Sequence, residues 1–370
     1  MFRTTDNIGT LRERIDVDRL QRYVEKAAPS ICLPIRLSQF LHGQSNPTLL
    51  ITDAKDKQYV LQKKPPGELM SQTAHAIERE HTIMSALQDT GIPVPKMHCL
   101  CEDETILGTS FYIMEFLKGR IFTDPALPSL SPAEKKACWF SAIDTLAKMH
   151  QVDIGSVNLT NYGRASGFYQ RQLKTFDKLS PIQAKITDSI SGSVVGPIPH
   201  WDALTAWFKS HLPEDRTSIV HGDFKMDNCV FHEIEPRVIG VLDWELSTIG
   251  HPLSDLANLL QPHGLPSGGE SSLTGFAGRD DLQGVPTLSE AHTRYSAVTQ
   301  WNPATNWTFA EAFAHLRLAV ITQGIAARVA RKQASSLKAI HHAQLFKPLG
   351  ELAWMIIKAD STTQYEKAKL

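Results

Sequence analysis

The sequence predicts an α+β chain of two lobes, a small β-rich one over residues 1–117 and a larger, mainly helical one over residues 118–370. Three observations carry this. Before Leu117, five runs of strand length stand against two helical stretches, and after it the periodicity turns helical. Two apolar runs then interrupt the helical part, and both end in polar residues. Ser218-Ile219-Val220 leads into His221-Gly222-Asp223 and on to Asn228, and Val238-Ile239-Gly240-Val241-Leu242 leads into Asp243. With 370 residues and 42% hydrophobic content, the chain can bury the cores that two lobes need.

In the first lobe, Asp16 to Ala28 sets Leu20, Tyr23, Val24 and Ala27 at helical spacing and is closed by Pro29. Strands are expected over Arg36–Leu41, Thr48–Thr52 and Gln58–Lys63, a small meander. Between the first two, Gly43, Gln44, Ser45 and Asn46 lie in a polar loop able to fold over nucleotide phosphates. Lys63 and Lys64 end the third strand, where a strand cation can grip phosphates and pair with a Glu of the next helix. That helix is expected over His75–Leu87, with Glu80 inside an apolar stripe of Ile77, Met84 and Leu87. A carboxylate buried there needs a partner, and Lys63 and Lys64 are the candidates. Strands over Met97–Cys101 and Ser110–Phe116 follow, with a polar turn between them. The second is read as an apolar edge strand whose end, Met114-Glu115-Phe116, offers its backbone to adenine, with Gly119 freeing the chain beyond it.

In the second lobe, Ser131-Pro132-Ala133-Glu134 is a capping box with Pro at the first helical position, and its helix runs to a packed His150. Helices near Phe168–Leu179 and over Trp201–Leu212 lead to the His221 segment. Past Asp243, Gly250-His251-Pro252 sets a turn, and Asp255 is read as structural. Residues 264–284 are rich in Gly and Ser and read as a loop beside the site. Thr308–Lys332 and Leu337–Ala359 read as two closing helices.

Composition narrows the partners. The 38 basic and 39 acidic residues are mixed along the chain, which disfavours nucleic acid or a membrane surface. Five scattered cysteines are an odd number and read as free thiols in a reducing compartment. No apolar run has the length of a membrane span or a signal region. The last residues, Ala368-Lys369-Leu370, stand one step from the Ser-Lys-Leu address and predict recognition by the peroxisomal import receptor, with the cytoplasm as the other location.

Order turns these weak signals into a constellation. His221, Asp223 and Asn228 keep the spacing of the protein-kinase catalytic loop, and Asp243 follows on a second strand. In such a site Asp223 takes the proton of an acceptor hydroxyl, Asn228 and Asp243 hold Mg2+, and His221 braces the loop. The predicted chemistry is phosphoryl transfer from ATP, in which the protein positions groups and offsets charge.

His221-Gly222-Asp223 through Asn228, Leu242-Asp243-Trp244-Glu245 and Gly250-His251-Pro252 through Asp255 resemble the aminoglycoside phosphotransferase and choline kinase superfamily. Gly43-Gln44-Ser45-Asn46-Pro47, Lys63-Lys64-Pro65-Pro66-Gly67, Glu78-Arg79-Glu80, Met114-Glu115-Phe116 and Gln323-Gly324-Ile325 are similar to the kinase-like domain fused to some acyl-CoA dehydrogenases. The resemblance runs from Gln39 to Ser335 and implies a two-lobed protein-kinase-like fold. It implies ATP-dependent phosphorylation of a hydroxyacyl-CoA, preparing it for elimination by a dehydrogenase. Because no dehydrogenase part follows Leu370, a separate acyl-CoA dehydrogenase is the expected partner.

Three departures bear on this. The family often carries Arg after the Val-Leu of the third strand, where this chain has Gln62, so which of Lys63 and Lys64 faces the phosphates stays open. Gly222 stands where protein kinases have Arg, and Trp244-Glu245 replaces Phe-Gly with no Ala-Pro-Glu after it, which argues against a protein substrate. Two other functions fit the motifs: a kinase of an amino-alcohol, an aminoglycoside or another hydroxylated natural product, and a catalytically silent nucleotide-binding pseudokinase. A CoA acceptor would want cations at the mouth, for which Arg317 and Arg328 are candidates.

Overall fold

A computed structural model describes residues 1–367 other than 7, 12–13, 41–46, 65–76, 189–190, 268–274 and 335. The expected phosphate loop Gly43 to Asn46 and the terminal Ala368-Lys369-Leu370 lie outside the described residues.

The chain begins with β1 (Phe2–Arg3), β2 (Ile8–Gly9), α1 (Val17–Ala27), β3 (Arg36–Phe40), β4 (Thr48–Thr52), β5 (Gln58–Lys63) and α2 (Ile77–Leu87). Then come β6 (Met97–Cys101), α3 (Glu104–Leu107), β7 (Phe111–Glu115), β8 (Arg120–Ile121) and α4 (Pro132–His150). α5 (Phe168–Ala184), α6 (Trp201–Ser210), β9 (Ser218–Val220), β10 (Cys229–Phe231), β11 (Val238–Val241) and β12 (Thr248–Gly250) follow. The rest is α7 (Leu253–Leu260), α8 (Leu288–Thr299), α9 (Trp307–Ala330), α10 (Leu337–Ala343) and α11 (Phe346–Lys367). Two compact units form: Met1–Asn161 with His221–Ser247, and Tyr162–Val220 with Thr248–Leu370.

The first unit is built on an antiparallel sheet of order β2-β3-β4-β5-β7-β6. Alternation along β4, β5 and β7 sends Leu49, Ile51, Tyr59, Leu61, Phe111 and Ile113 to one face, where they bury Leu20 and Val24 of α1. Each such aliphatic side chain contributes about 1.5–3 kcal/mol. Asp16 caps α1, its carboxylate accepting from Arg19 N at 2.9 Å. β7 lies between β5 and β6, so the edge strand expected at Ser110–Phe116 is an interior one, paired with β5 as far as Glu115.

A second sheet of order β1-β8-β10-β11 carries the polar loops. The β10–β11 ladder pairs Cys229 with Val241, which sets Asn228 and Leu242 side by side, Leu242 N donating to Asn228 O at 2.9 Å. Gly119 is required here for a different reason than expected. A Cβ on it would fall 2.3 Å from Phe231 O, so close approach of β10 selects glycine. The capping box of α4 forms as read, Ser131 Oγ accepting from Glu134 N and Glu134 Oε2 accepting from Ser131 N at 3.0 Å.

The second unit packs helices around α9. Phe309 and Phe313 meet Tyr169 of α5, each at 4.8 Å between ring centroids, and Phe208 of α6 at 5.2 and 5.4 Å. β9 and β12 pair as a short ribbon that brackets the His221 segment in sequence. Among the described residues no helix is long and apolar enough to cross a membrane. The closing helix expected over Leu337–Ala359 is two helices, because Pro348 lacks an N–H and its ring would strike the carbonyl of Gln344; it is accommodated in the first turn of α11 instead. α7 and α8 had no counterpart in the sequence reading, and the polar turn before β7 contains α3.

Candidate active site

His221 is fully buried and organises the loop. Its Nδ1 accepts from Asp223 N at 3.2 Å, so Nε2 carries the proton and donates to Leu242 O at 2.9 Å. Its ring packs against Trp244 and Phe224, both buried. One imidazole thereby ties the loop after β9 to the end of β11. Gly222 between them has φ +87°, and a Cβ there would lie 2.5 Å from Leu246 O.

Asp223 is half-buried and meets two donors at Oδ2, Asn228 Nδ2 at 3.2 Å and Lys225 Nζ at 3.2 Å. Asn228 Nδ2 also donates to Asp223 O at 2.9 Å. These bonds commit the amide nitrogen to Asp223 and turn the amide oxygen away from it. Lys225 also reaches Asp227 at 3.6 Å, and although burial opposes its charge, Asp223 and Asp227 hold its ammonium above the usual range.

Asp243 sits at the end of β11 with φ +66°, a left-handed conformation that costs a non-glycine residue roughly 1–2 kcal/mol. Partial removal from water, then the charges of Glu245 and Asp223, push its carboxyl up to about 6. The residue still presents an exposed surface, so water moderates both effects. A cation would reverse that repulsion. Glu245 is raised as well, by burial and then by Asp223. Trp244 locks the turn beyond, its indole donating to Val241 O at 2.9 Å, and Arg79 of α2 reaches Ser247 O at 3.3 Å.

On α2, Glu80 is 1% exposed, which excludes a position at the rim of its stripe. Tyr112 Oη donates to its Oε2 at 3.0 Å and Gln62 Nε2 approaches the same oxygen at 3.5 Å. Burial pushes the carboxyl up to about 8 against the Tyr112 bond, and Asp243, Glu245 and Glu78 add to the rise. Lys63 is buried and stands opposite Phe111 in the ladder, on the α1 side of the sheet; Lys64 N donates to Ser110 O at 3.0 Å. At the strand end, Met114 is buried, Glu115 N donates to Lys96 O at 2.8 Å, and Phe116 stacks on Phe40 at 6.2 Å.

Lys225 and Tyr112 have no part in the sequence reading, and Gln62 enters it only as a departure from the family pattern. Lys225 carried a signal, since it lies two residues past Asp223 in a loop that must handle phosphate charge. Gln62 and Tyr112 are exposed as partners of Glu80 only by the β5–β7 register. Among the described residues no group of three or more His, Cys, Asp or Glu is placed to hold a metal ion. Asn228 and Asp243 together offer one amide and one carboxylate, a hard-oxygen set.

A model of the phosphotransferase enzyme family, APH, matches residues 36–288. Acyl-CoA dehydrogenase family member 10 of Mus musculus is 40% identical over 343 residues, which is 92% of this chain and 31% of that protein. Acyl-CoA dehydrogenase family member 11 of Rattus norvegicus is 37% identical over 372 residues, 97% of this chain and 46% of that protein. The chain thus spans less than half the length of these curated relatives. A crystal structure from Ralstonia eutropha JMP134, provisionally described as an aminoglycoside phosphotransferase, is 36% identical with a TM-score of 0.83, covering 94% of this chain and 99% of that one. The ternary complex of streptomycin, ATP and APH(2")-IIa shares the fold at a TM-score of 0.56 and 16% identity, over 90% of this chain and 99% of that one.

Proposed function

We propose, from the premise that this chain belongs to the phosphotransferase enzyme family, that it moves the γ-phosphate of ATP onto the hydroxyl of a hydroxyacyl-CoA or a related lipid-breakdown metabolite. Family membership itself makes the chain a small-molecule kinase, a phosphotransferase with an alcohol group as acceptor, on a two-lobed kinase-like fold.

In this reading Asp223 is the base. The observation that carries it is the double hydrogen bond from Asn228, which orients the Asp223 carboxylate beside the end of β11. The acceptor oxygen forms its bond to the γ-phosphorus as the bond from that phosphorus to the β,γ-bridging oxygen breaks. The acceptor's proton passes to Asp223, and ADP leaves. Lys225 offsets negative charge on the phosphoryl group in flight. Lys63 or Lys64 with Glu80, and the loop Gly43 to Asn46, serve the phosphates, and Met114, Glu115 and Phe116 serve the adenine.

Mg2+ fits the donor set. Such an ion takes one or two protein oxygens and fills the rest of its shell from water and substrate, so the Asn228 amide and the Asp243 carboxylate suffice although no cluster of three acidic ligands stands among the described residues. The repulsion that raises Asp243 is the electrostatic counterpart of that fit. Held by Asn228 and Asp243, such an ion would act as a Lewis acid and offset phosphate charge.

The relatives support this acceptor: two that match 92% and 97% of the chain are named for acyl-CoA dehydrogenases, and a phosphorylated hydroxyl is a leaving group that such a partner could use. ATP turnover over a panel of hydroxyacyl-CoAs, choline and aminoglycosides tests it. Phosphorylation of a hydroxyacyl-CoA is expected. Turnover confined to choline or aminoglycosides would replace the acceptor, and Mg-ATP binding without any phosphorylated product would favour a silent binding module.

A further inference from the structure

The β-ladder decides which side chains of β5 meet α2. Gln62 and Tyr112 are direct partners across β5 and β7, so they share a face of the sheet, and both reach Glu80 Oε2. Lys63 is one residue on and therefore on the opposite face. There it stands across from Phe111, which belongs to the core under α1. Lys64 N donates to Ser110 O, which carries the pairing one residue further and returns Lys64 to the Gln62 side. It follows Gln62 by two residues, roughly 6.6–6.8 Å along the strand.

We propose that Gln62 is the positioning residue that, with Tyr112, holds Glu80 and hence α2 in place, while the cation meeting the nucleotide phosphates is Lys64 and not Lys63. The assignment rests on the kinase reading. It separates two jobs that a single strand lysine performs elsewhere: bracing the helix carboxyl, and contributing charge to the phosphates. A neutral amide and a phenol meet the buried carboxyl at Oε2, where a charged donor would carry a desolvation cost that they do not. Burial keeps Glu80 in the protonated form that such neutral partners suit. Lys64, just past the end of the strand, is half-exposed.

Nucleotide binding to the full chain tests this without knowledge of the acceptor. Affinities for Mg-ATP and for AMP, which lacks the β- and γ-phosphates, are measured for Lys63→Met, Lys64→Ala, Gln62→Leu and Gln62→Lys. Lys64→Ala is expected to weaken ATP about 10-fold with AMP nearly unchanged. Lys63→Met should lower the unfolding midpoint and leave the ATP-to-AMP ratio within about 3-fold. Gln62→Lys, which restores a cation beside Glu80, should raise that ratio severalfold. Gln62→Leu should raise the KM for ATP more than it lowers kcat, with a polar Gln62→Asn recovering part of the loss. A 10-fold loss of ATP affinity in Lys63→Met with none in Lys64→Ala overturns the assignment and leaves the kinase reading intact. A wild-type chain that binds no Mg-ATP overturns both.

Discussion

The side-chain amide of Asn228 donates to Asp223 twice, to its main-chain oxygen at 2.9 Å and to its carboxylate at 3.2 Å. An amide held this way fixes the carboxylate's direction, so geometry and basicity separate under mutation. Asp223→Asn keeps the shape and removes the base; kcat should fall about 10²–10⁴-fold while ATP affinity holds. Asn228→Ala leaves the base and frees its orientation, and it should lower kcat and raise the Mg2+ concentration needed for half-maximal rate together. Steady-state kinetics over a Mg2+ titration distinguishes the two, and an Asp223→Asn enzyme with near-normal turnover would remove Asp223 from the role.

Lys225 is wedged between Asp223 and Asp227. Lys225→Met deletes the cation and keeps most of the apolar stem, so packing should survive. We expect kcat to drop about 10–100-fold with a smaller change in the KM for ATP, since the charge is needed most as the phosphoryl group moves. Equal losses in ATP affinity and kcat would instead make Lys225 a ground-state phosphate ligand.

Glu80 predicts a pH slope in stability. Its carboxyl titrates near 8 in the folded chain against 4.5 as the reference for the unfolded one. Between those values the folded state keeps a proton that the unfolded state has released. Stability from this group is therefore fully present below about pH 4.5 and is lost as pH rises through 8. The whole window is worth on the order of 5 kcal/mol, at about 1.4 kcal/mol per pH unit. Glu80→Gln can still accept from Tyr112 and has no proton to lose, so its unfolding midpoint should vary less between pH 5.5 and pH 8.5, without nucleotide, than that of the parent. Parallel pH profiles for the two proteins would refute the assignment.

What was legible in the sequence follows from how local each signal is. β4, β5 and β6 have the ends expected of them because alternation and flanking turns are local. The Ser131 capping box is local too. The interior position of β7 is not, since strand order β5-β7-β6 departs from chain order and no residue of β7 announces it. The same non-local register hid the pairing of Gln62 with Tyr112. The break before α11 is not legible because Pro348 sits inside a helical stripe, and a first-turn proline looks like a kinked interior one until the start of the helix is known. Glu80 stands out by its place in an apolar stripe, but the phenol and amide that meet it come from strands 32 and 18 residues away.

Gly222 supplies the sharpest test of the loop. With φ +87° it occupies backbone space that costs an L-residue about 1–2 kcal/mol, and a Cβ would lie 2.5 Å from Leu246 O and 2.8 Å from Leu246 Cβ. The first of these is a main-chain atom, which cannot swing aside. Gly222→Ala must therefore displace either the loop that carries Asp223 or the turn that follows Asp243. Stability should fall by about 2–4 kcal/mol, and kcat should fall with it even where the protein remains folded. Gly91 is the control: its φ is +76° but a Cβ there meets nothing within 4 Å, so Gly91→Ala carries the conformational cost alone. Chemical unfolding of both variants beside kcat separates strain from collision. If Gly222→Ala costs no more than Gly91→Ala and keeps its turnover, the close packing of Gly222 under Leu246 does not position the site.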